Sequence, residues 1–108
     1  MTGDAEPVPG RYYVLVDVEI REPERYRTYM EKVRPALEAA GGRYLVRGGA
    51  HTVYEGGWTP ARLVLLEFPS REAWETFYEG PEYAGIRTVR EETSTARMVG
   101  VEGLGPGM

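Results

Sequence analysis

The chain has 108 residues, no cysteine, 28% charged residues and a formal net charge of -4. This length fits one domain, and the lack of cysteine excludes disulfides and thiolate metal sites. The chain has no Lys/Arg block of the kind that binds nucleic acid. It also has no apolar run that approaches the roughly 20 residues of a membrane span. We therefore expect a cytoplasmic protein that binds neither nucleic acid nor membrane.

The first half of the chain predicts a strand, a helix and the start of a second strand. Residues 1–10, MTGDAEPVPG, are acidic and rich in Pro and Gly, so we expect a flexible lead-in. RYYVLVDVEI alternates as a strand does. A helix should begin at Pro23, with a kink or break just before Pro35, and should end at the glycine pair 41–42.

The second half of the chain completes the second predicted strand and predicts a third strand, a second helical region and a fourth strand. GRYLVRGG is the second strand, with a bulge or bend at its glycines and a continuation HTVYEG, and RLVLLEF is the third. Ser70 is a natural N-cap for a helix, and Pro81 can open another helical segment. ARMVGVEG is the fourth strand, and residues 104–108 form a loose tail. Residues 11–103 thus predict one α+β domain.

The order βαββαβ predicts a ferredoxin-like sandwich, a four-stranded antiparallel sheet in the order 4-1-3-2 with helices on one face. If the other face met water, its strands should alternate apolar with polar residues. Instead it would present Tyr13, Leu15, Leu45, Leu63, Leu65 and Val99. Since a soluble monomer rarely exposes such a patch, we expect a homodimer whose second copy covers it, with the C-terminal tail as the alternative cover.

Charged residues lie on the same uncovered face, one to each strand: Asp17, Arg47, Glu67 and Arg97. In the predicted order Arg97 neighbours Asp17, and Arg47 neighbours Glu67. Pairing of opposite charges is expected here because a buried charge without a partner is strongly disfavoured. These four residues are candidates for binding a small polar ligand, and a structural ion-pair network is the alternative.

Four further residues are candidates for a ligand site. Trp58 and Tyr83 lie near a loop and a helix start, where a pocket mouth can form. Arg90 follows Tyr83 on the same helical face, which is either a solvated surface or a rim that attracts anions. His51, the only histidine, could act as a general base, and a solvated hairpin residue is the alternative. We expect no metal site and no cofactor.

The motifs YLVRGG, YEGGWTPARLVLLEFPS, FYEGPEYAGIRTVR and ARMVGVEG together resemble the domain-of-unknown-function family numbered 1330. The resemblance spans roughly Tyr12 to Gly103. It implies the dimeric α+β barrel superfamily, in which two ferredoxin-like sheets face each other around internal cavities. The resemblance places His51 at a variable position. Candidates that match the family motifs are Arg47, Trp58, Glu67, Tyr83, Arg90 and Arg97.

Two functions are compatible with these observations. The first is a dimer that binds a small organic acid or an enolisable carbonyl compound in its barrel, with a cofactor-free enzyme as one form of it. The second is a non-catalytic structural or binding module whose barrel charges are only ion pairs. The superfamily includes cofactor-free monooxygenases, muconolactone isomerases and haem-degrading enzymes, but that is analogy at the level of the fold.

Overall fold

The computed structural model describes residues 10–105, so most of the expected lead-in (1–9) and part of the expected tail (106–108) lie outside the described residues. The described chain forms four strands and three helices. In chain order they are β1 (Tyr12–Ile20), α1 (Pro23–Ala39), β2 (Arg43–Arg47), β3 (Leu63–Phe68), α2 (Arg71–Glu79), α3 (Pro81–Thr93) and β4 (Ser94–Glu102). No helix in this part of the chain is both long and apolar enough to cross a membrane.

The four strands form one antiparallel sheet in the order β2-β3-β1-β4, which confirms the predicted strand order. On the central strand β1, Leu15 lies opposite Leu65 of β3 and Val99 of β4. Paired residues share a face of the sheet, and successive residues alternate between faces. The predicted ferredoxin-like sandwich is therefore confirmed, with its second helical region divided into α2 and α3.

Local sequence signals set the helix ends. α1 begins at Pro23, where a missing N–H needs no partner, and it ends before Gly41, which adopts a φ of +90° that favours glycine. The Ser70 hydroxyl oxygen accepts a hydrogen bond of 3.1 Å from the Ala73 N–H and caps α2 as predicted. Pro81 begins α3. These signals were readable in the sequence because each acts within one helical turn.

Helix α1 continues through Pro35, so the break expected before that residue does not occur. Pro35 has no N–H to offer the carbonyl of Glu31. Both residues are exposed, so water can satisfy this carbonyl. The buried side of the helix, which includes Val33 and Leu37, keeps its packing on the sheet.

Strand β2 ends at Arg47, and the expected continuation HTVYEG is not a strand. Gly48 adopts a φ of +74°, and its N–H donates to the Leu63 carbonyl at 2.8 Å. This turn directs the chain out of the sheet into an exposed connection before β3. The glycine pair therefore ends the strand. The bulge lies earlier, between Tyr44 and Val46, where β2 has one more residue than β3.

The core lies between the helices and one face of the sheet. Val14, Val33, Leu37 and Phe68 are almost completely buried there. The Phe68 ring meets the Trp74 ring edge-on, with centroids 5.3 Å apart. On the opposite face of the sheet the apolar side chains keep much of their exposure, and we call this side the open face. Its most exposed apolar residues on β4 are Val99 and Val101, each 58% exposed.

Candidate functional site

Asp17 lies on the open face, opposite Arg97 of β4. Arg97 Nη2 donates to Asp17 Oδ2 at 2.9 Å, which confirms that pair. The Ala61 N–H donates to Oδ1 at 2.9 Å, and Trp58 Nε1 donates to Oδ2 at 3.4 Å. The bond from Arg97, helped by the others, lowers the pKa of the Asp17 carboxyl. This carboxylate therefore ties the segment before β3 to the central strand.

Glu67 is the second carboxylate of the open face, and its side chain is only 7% exposed. Arg43 Nε donates to Glu67 Oε1 at 2.6 Å, and the Tyr13 hydroxyl donates to Oε2 at 2.9 Å. The bond from Arg43 lowers the pKa of the carboxyl, and the same carboxylate raises the pKa of the Tyr13 phenol. Glu67 thus has a partner for each of its oxygens.

The predicted pairing of Arg47 with Glu67 is wrong, because Glu67 pairs with Arg43. The bulge between Tyr44 and Val46 shifts the alternation of β2, so Arg47 lies opposite Val64, a core residue of the helix-covered face. The Arg47 guanidinium lies 5.0 Å from the centroid of the Tyr44 ring. Arg47 therefore lies at the sheet edge, on the other side from the carboxylates.

A wide hollow on the open face adjoins the Asp17–Arg97 pair. Its volume is about 570 Å³, and its lining includes Leu15, Trp58 and Val99. The hollow is a surface feature of the single chain, and Trp58 is 46% exposed. His51 is exposed in the connection between β2 and β3, and within residues 10–105 it forms no hydrogen bond or ion pair.

A small cavity lies inside the fold, between the sheet and the helices. We call it the inner cavity, and its volume is about 40 Å³. Tyr83 is 3% exposed, and its hydroxyl oxygen lies 3.0 Å from the hydroxyl oxygen of Tyr29, so that either group can donate. Arg90 Nε donates to the Tyr83 hydroxyl at 3.3 Å. Residues lining the cavity are Val16, Val18, Tyr26, Tyr29, Met30, Val33, Leu37, Tyr44, Val64, Leu66, Trp74, Phe77, Tyr83, Arg90 and Met98.

The inner cavity presents hydrogen-bond donors and positive charge to its interior. Burial raises the pKa of the Tyr29 phenol, so its hydroxyl stays protonated at neutral pH. Arg90 is half-buried and permanently charged. The described residues that line the cavity include no Asp, Glu or His. The cavity can therefore offer hydrogen bonds and positive charge to a ligand oxygen, but it holds no side chain suited to act as a general base.

The structure thus divides the sequence candidates into separate groups. Asp17, Trp58 and Arg97 meet on the open face, and Tyr83 and Arg90 meet in the inner cavity. Glu67, Arg47 and His51 join neither group.

Sequence reasoning missed Tyr29, Arg43 and Tyr13. A signal for Tyr29 existed, because Tyr26 and Tyr29 lie three residues apart on the helical stripe that also carries Val33.

The antiparallel sheet with one helical layer and a cavity between them defines a ferredoxin-like α+β fold. The chain belongs to the family called domain of unknown function DUF1330, whose model matches residues 11–104. None of the curated proteins matches it.

Solved structures show the same fold at low identity. A protein of unknown function from Rhodopseudomonas palustris is 19% identical with a TM-score of 0.71, over 93% of this chain and 87% of that one. A candidate antibiotic biosynthesis monooxygenase from Nitrosomonas europaea is 17% identical with a TM-score of 0.56, over 93% and 96%. SnoaB, a cofactor-independent oxygenase from Streptomyces nogalater, is 9% identical with a TM-score of 0.59, over 90% and 95%.

Proposed function

We propose that the protein is a homodimer that binds a small organic acid or carbonyl compound in the inner cavity. The observation that carries this proposal is the chain of polar groups formed by Arg90, Tyr83 and Tyr29 in an otherwise apolar enclosure. A few convergent polar groups in an apolar cavity are typical of ligand sites. A core built for stability alone gains little from a guanidinium, because desolvating a charge is costly.

The size of the inner cavity limits the ligand. A water molecule needs roughly 10–15 Å³ of such volume, so about 40 Å³ holds a few waters or one molecule of similar size, such as acetate. Met30 and Met98 line the cavity, and their flexible side chains can give way to a slightly larger ligand. At a ceiling of about 1.5 kcal/mol per heavy atom, a four-atom ligand binds with a Kd no tighter than about 40 μM.

Binding is better supported than catalysis. If the ligand were an enolisable carbonyl compound, negative charge developing on its oxygen would be stabilised by Arg90 and the tyrosine hydroxyls. Removing the proton that creates this charge needs a base, and the described lining residues supply neither a carboxylate nor a histidine. The similarity to a cofactor-independent oxygenase therefore supports the fold and leaves the chemistry open.

The charges of the open face support a structural role. Asp17 accepts three hydrogen bonds, and Glu67 accepts two. Carboxylates satisfied in this way have little capacity left for a ligand. We therefore assign the open face to the dimer interface and the inner cavity to the ligand.

Exposure of the open face supports the homodimer. Val99 and Val101 are each 58% exposed, and Val46 is 41% exposed on the edge strand of the same face. A second copy related by a two-fold axis would cover these side chains, with about 1,600 Å² buried in total for an interface of standard size. Light scattering at micromolar concentration should give twice the chain mass of 12.1 kDa.

Val99→Glu should convert this dimer to monomers, since it places a charge on the apolar open face beside Leu15. Ala84→Glu is the control, because Ala84 is exposed on helix α3, away from the open face. A wild-type protein that scatters as a monomer contradicts the homodimer.

The ligand site is tested by binding measurements on the intact protein. Small acids and carbonyl compounds, acetate and acetone among them, should be titrated at millimolar concentration with thermal unfolding and NMR shifts as readouts. Arg90→Met should abolish binding, whereas Arg71→Met should not, because Arg71 is exposed on helix α2, pairs with Glu75 and does not line the cavity. If no compound binds the wild type, or if binding survives Arg90→Met, the inner cavity is not the ligand site.

A further inference from the structure

The hydroxyls of Tyr29 and Tyr83 share one hydrogen bond but carry two protons. Their oxygens lie 3.0 Å apart, and one of the two groups donates to the other. Arg90 Nε also donates to the Tyr83 oxygen, at 3.3 Å. Whichever hydroxyl donates within the pair, the proton of the other has no acceptor within residues 10–105. The pair therefore holds one free hydroxyl proton.

This free proton belongs to a buried group of the inner cavity. Tyr29 and Tyr83 are 8% and 3% exposed, and both line the cavity. Tyrosine hydroxyls are ordinarily protonated at neutral pH, and burial raises the pKa of the Tyr29 phenol further. A buried polar group without a hydrogen-bond partner is costly, and the great majority of such groups have one. We therefore expect an acceptor inside the cavity.

Arg90 adds further donors at the same place. A guanidinium has several N–H groups, and within the described residues only the Nε of Arg90 forms a hydrogen bond. The side chain lines the cavity, and none of the ion pairs in this part of the chain includes it. The described lining residues include no Asp, Glu or His. The cavity thus offers a surplus of donors beside a cation that has no acidic partner.

A water molecule is a poor match for this surplus of donors. It can accept the free proton, but it brings two O–H donors of its own into a lining without carboxylate or imidazole acceptors. Alcohols and amides also bring donors of their own. An ionised carboxylate has acceptors at both oxygens and no donor, and it carries the negative charge that matches a guanidinium.

We infer that the Tyr29–Tyr83 pair donates its free proton to a carboxylate oxygen, and that the ligand of the inner cavity is an ionised small carboxylic acid rather than a neutral carbonyl compound. This inference rests on the proposed function, because it names the chemical class of the ligand in the same cavity. Arg90 supplies the positive charge that neutralises the carboxylate. Since the two hydroxyls are adjacent, either of them can donate to the ligand when the other is removed.

A series of probes with nearly the same size and shape separates the effects of donors, acceptors and charge: acetate, acetone, acetamide and the acetamidinium cation. NMR titration of the intact wild-type protein at pH 7 should show that acetate binds at least about tenfold more tightly than acetone or acetamide, because hydrogen bonds to an ionised group are the stronger ones. Acetamidinium, which has donors only, should not bind.

Variants of the two tyrosines test the free proton. Tyr29→Phe and Tyr83→Phe each leave one hydroxyl to donate, so each should weaken acetate binding by less than about threefold. The double variant has no hydroxyl left in the pair and should lose about tenfold or more. Tyr54→Phe is the matched control and should bind acetate as the wild type does, since Tyr54 is 89% exposed.

The outcomes separate this inference from the proposed function. If the wild type binds acetone, acetamide or acetamidinium as tightly as acetate, and Arg90→Met loses this binding, the cavity is the ligand site and selection of a carboxylate is overturned, even where no tyrosine variant folds. If the folded double variant keeps wild-type acetate affinity, or if one single variant loses as much as the double, the donor role of the pair is overturned. If the wild type binds none of the probes, or if binding survives Arg90→Met, the proposed function falls as well.

Discussion

Removing the Tyr83 hydroxyl should destabilise the fold more than removing the Tyr29 hydroxyl. Tyr83 Oη contacts both the Tyr29 hydroxyl and Arg90 Nε, so Tyr83→Phe leaves two groups without a partner. Tyr29 is only 8% exposed, and a buried hydroxyl left unsatisfied costs about 1–3 kcal/mol. Tyr29→Phe leaves Tyr83 still bonded to Arg90, and its cost should fall at the lower end of that range.

The double variant decides whether the two hydroxyls interact. When both partners of a buried hydrogen bond are removed, the loss is smaller than the sum of the single losses. We expect a coupling energy on the order of 1 kcal/mol between Tyr29→Phe and Tyr83→Phe. Urea unfolding at one fixed protein concentration is the assay, because the stability of a dimer depends on concentration.

Tyr54→Phe is the matched control for these variants. Tyr54 is 89% exposed, so its loss of a hydroxyl should change stability by no more than about 0.5 kcal/mol. Additive losses in the double variant, or a smaller loss for Tyr83→Phe than for Tyr29→Phe, would refute the arrangement of hydroxyls described for the inner cavity. A changed urea m-value would show instead that the variant altered the compactness of one of the states.

Three further predictions concern stability. Hydrogen bonds lower the folded-state pKa of Glu67 and Asp17 below the ordinary 4.5 and 3.8, so the stability that these carboxylates contribute is complete above these values. This stability is lost as pH falls through the folded-state pKa values. Thermal unfolding from pH 7 to 2 should show the loss, and the loss should be smaller in Glu67→Gln. Gly48→Ala should cost more than about 1 kcal/mol because of its positive φ and the guanidinium beneath it, whereas Gly49→Ala, with open space around it, should be nearly neutral by urea unfolding. Ser70→Ala should cost about 1 kcal/mol and Ser70→Gly only a few tenths in the same assay, so equal costs would argue against the N-cap.

The parts of the structure that follow from regular periodicity were predictable. Asp17 and Arg97 pair as expected because β1 and β4 are uninterrupted, so alternation and strand order alone decide which residues meet. Tyr83 and Arg90 lie seven residues apart on one helix, and this spacing alone indicates a shared face.

The parts that depend on one irregular residue, or on how two elements pack, were not predictable. The bulge in β2 has no distinctive residue type, and it changes the partner of Glu67 from Arg47 to Arg43. The meeting of Tyr29 with Tyr83 depends on the rotation of α1 relative to α3, which the sequence of neither helix fixes. The sequence shows Arg62 only as a residue of the connection before β3, and the contact of its guanidinium with the Gly48 turn depends on the folded structure.

The bulge in β2 also affects how this strand tolerates a change of length. Losing one residue from a strand normally turns every later side chain to the opposite face. Leu45 is the extra residue here, so deleting it should leave Val46 against Leu65 and Arg47 against Val64 in a regular ladder. Relatives with one residue fewer at this point would then share the same two faces. Relatives of equal length that lack the bulge would turn the counterpart of Arg47 toward the open face.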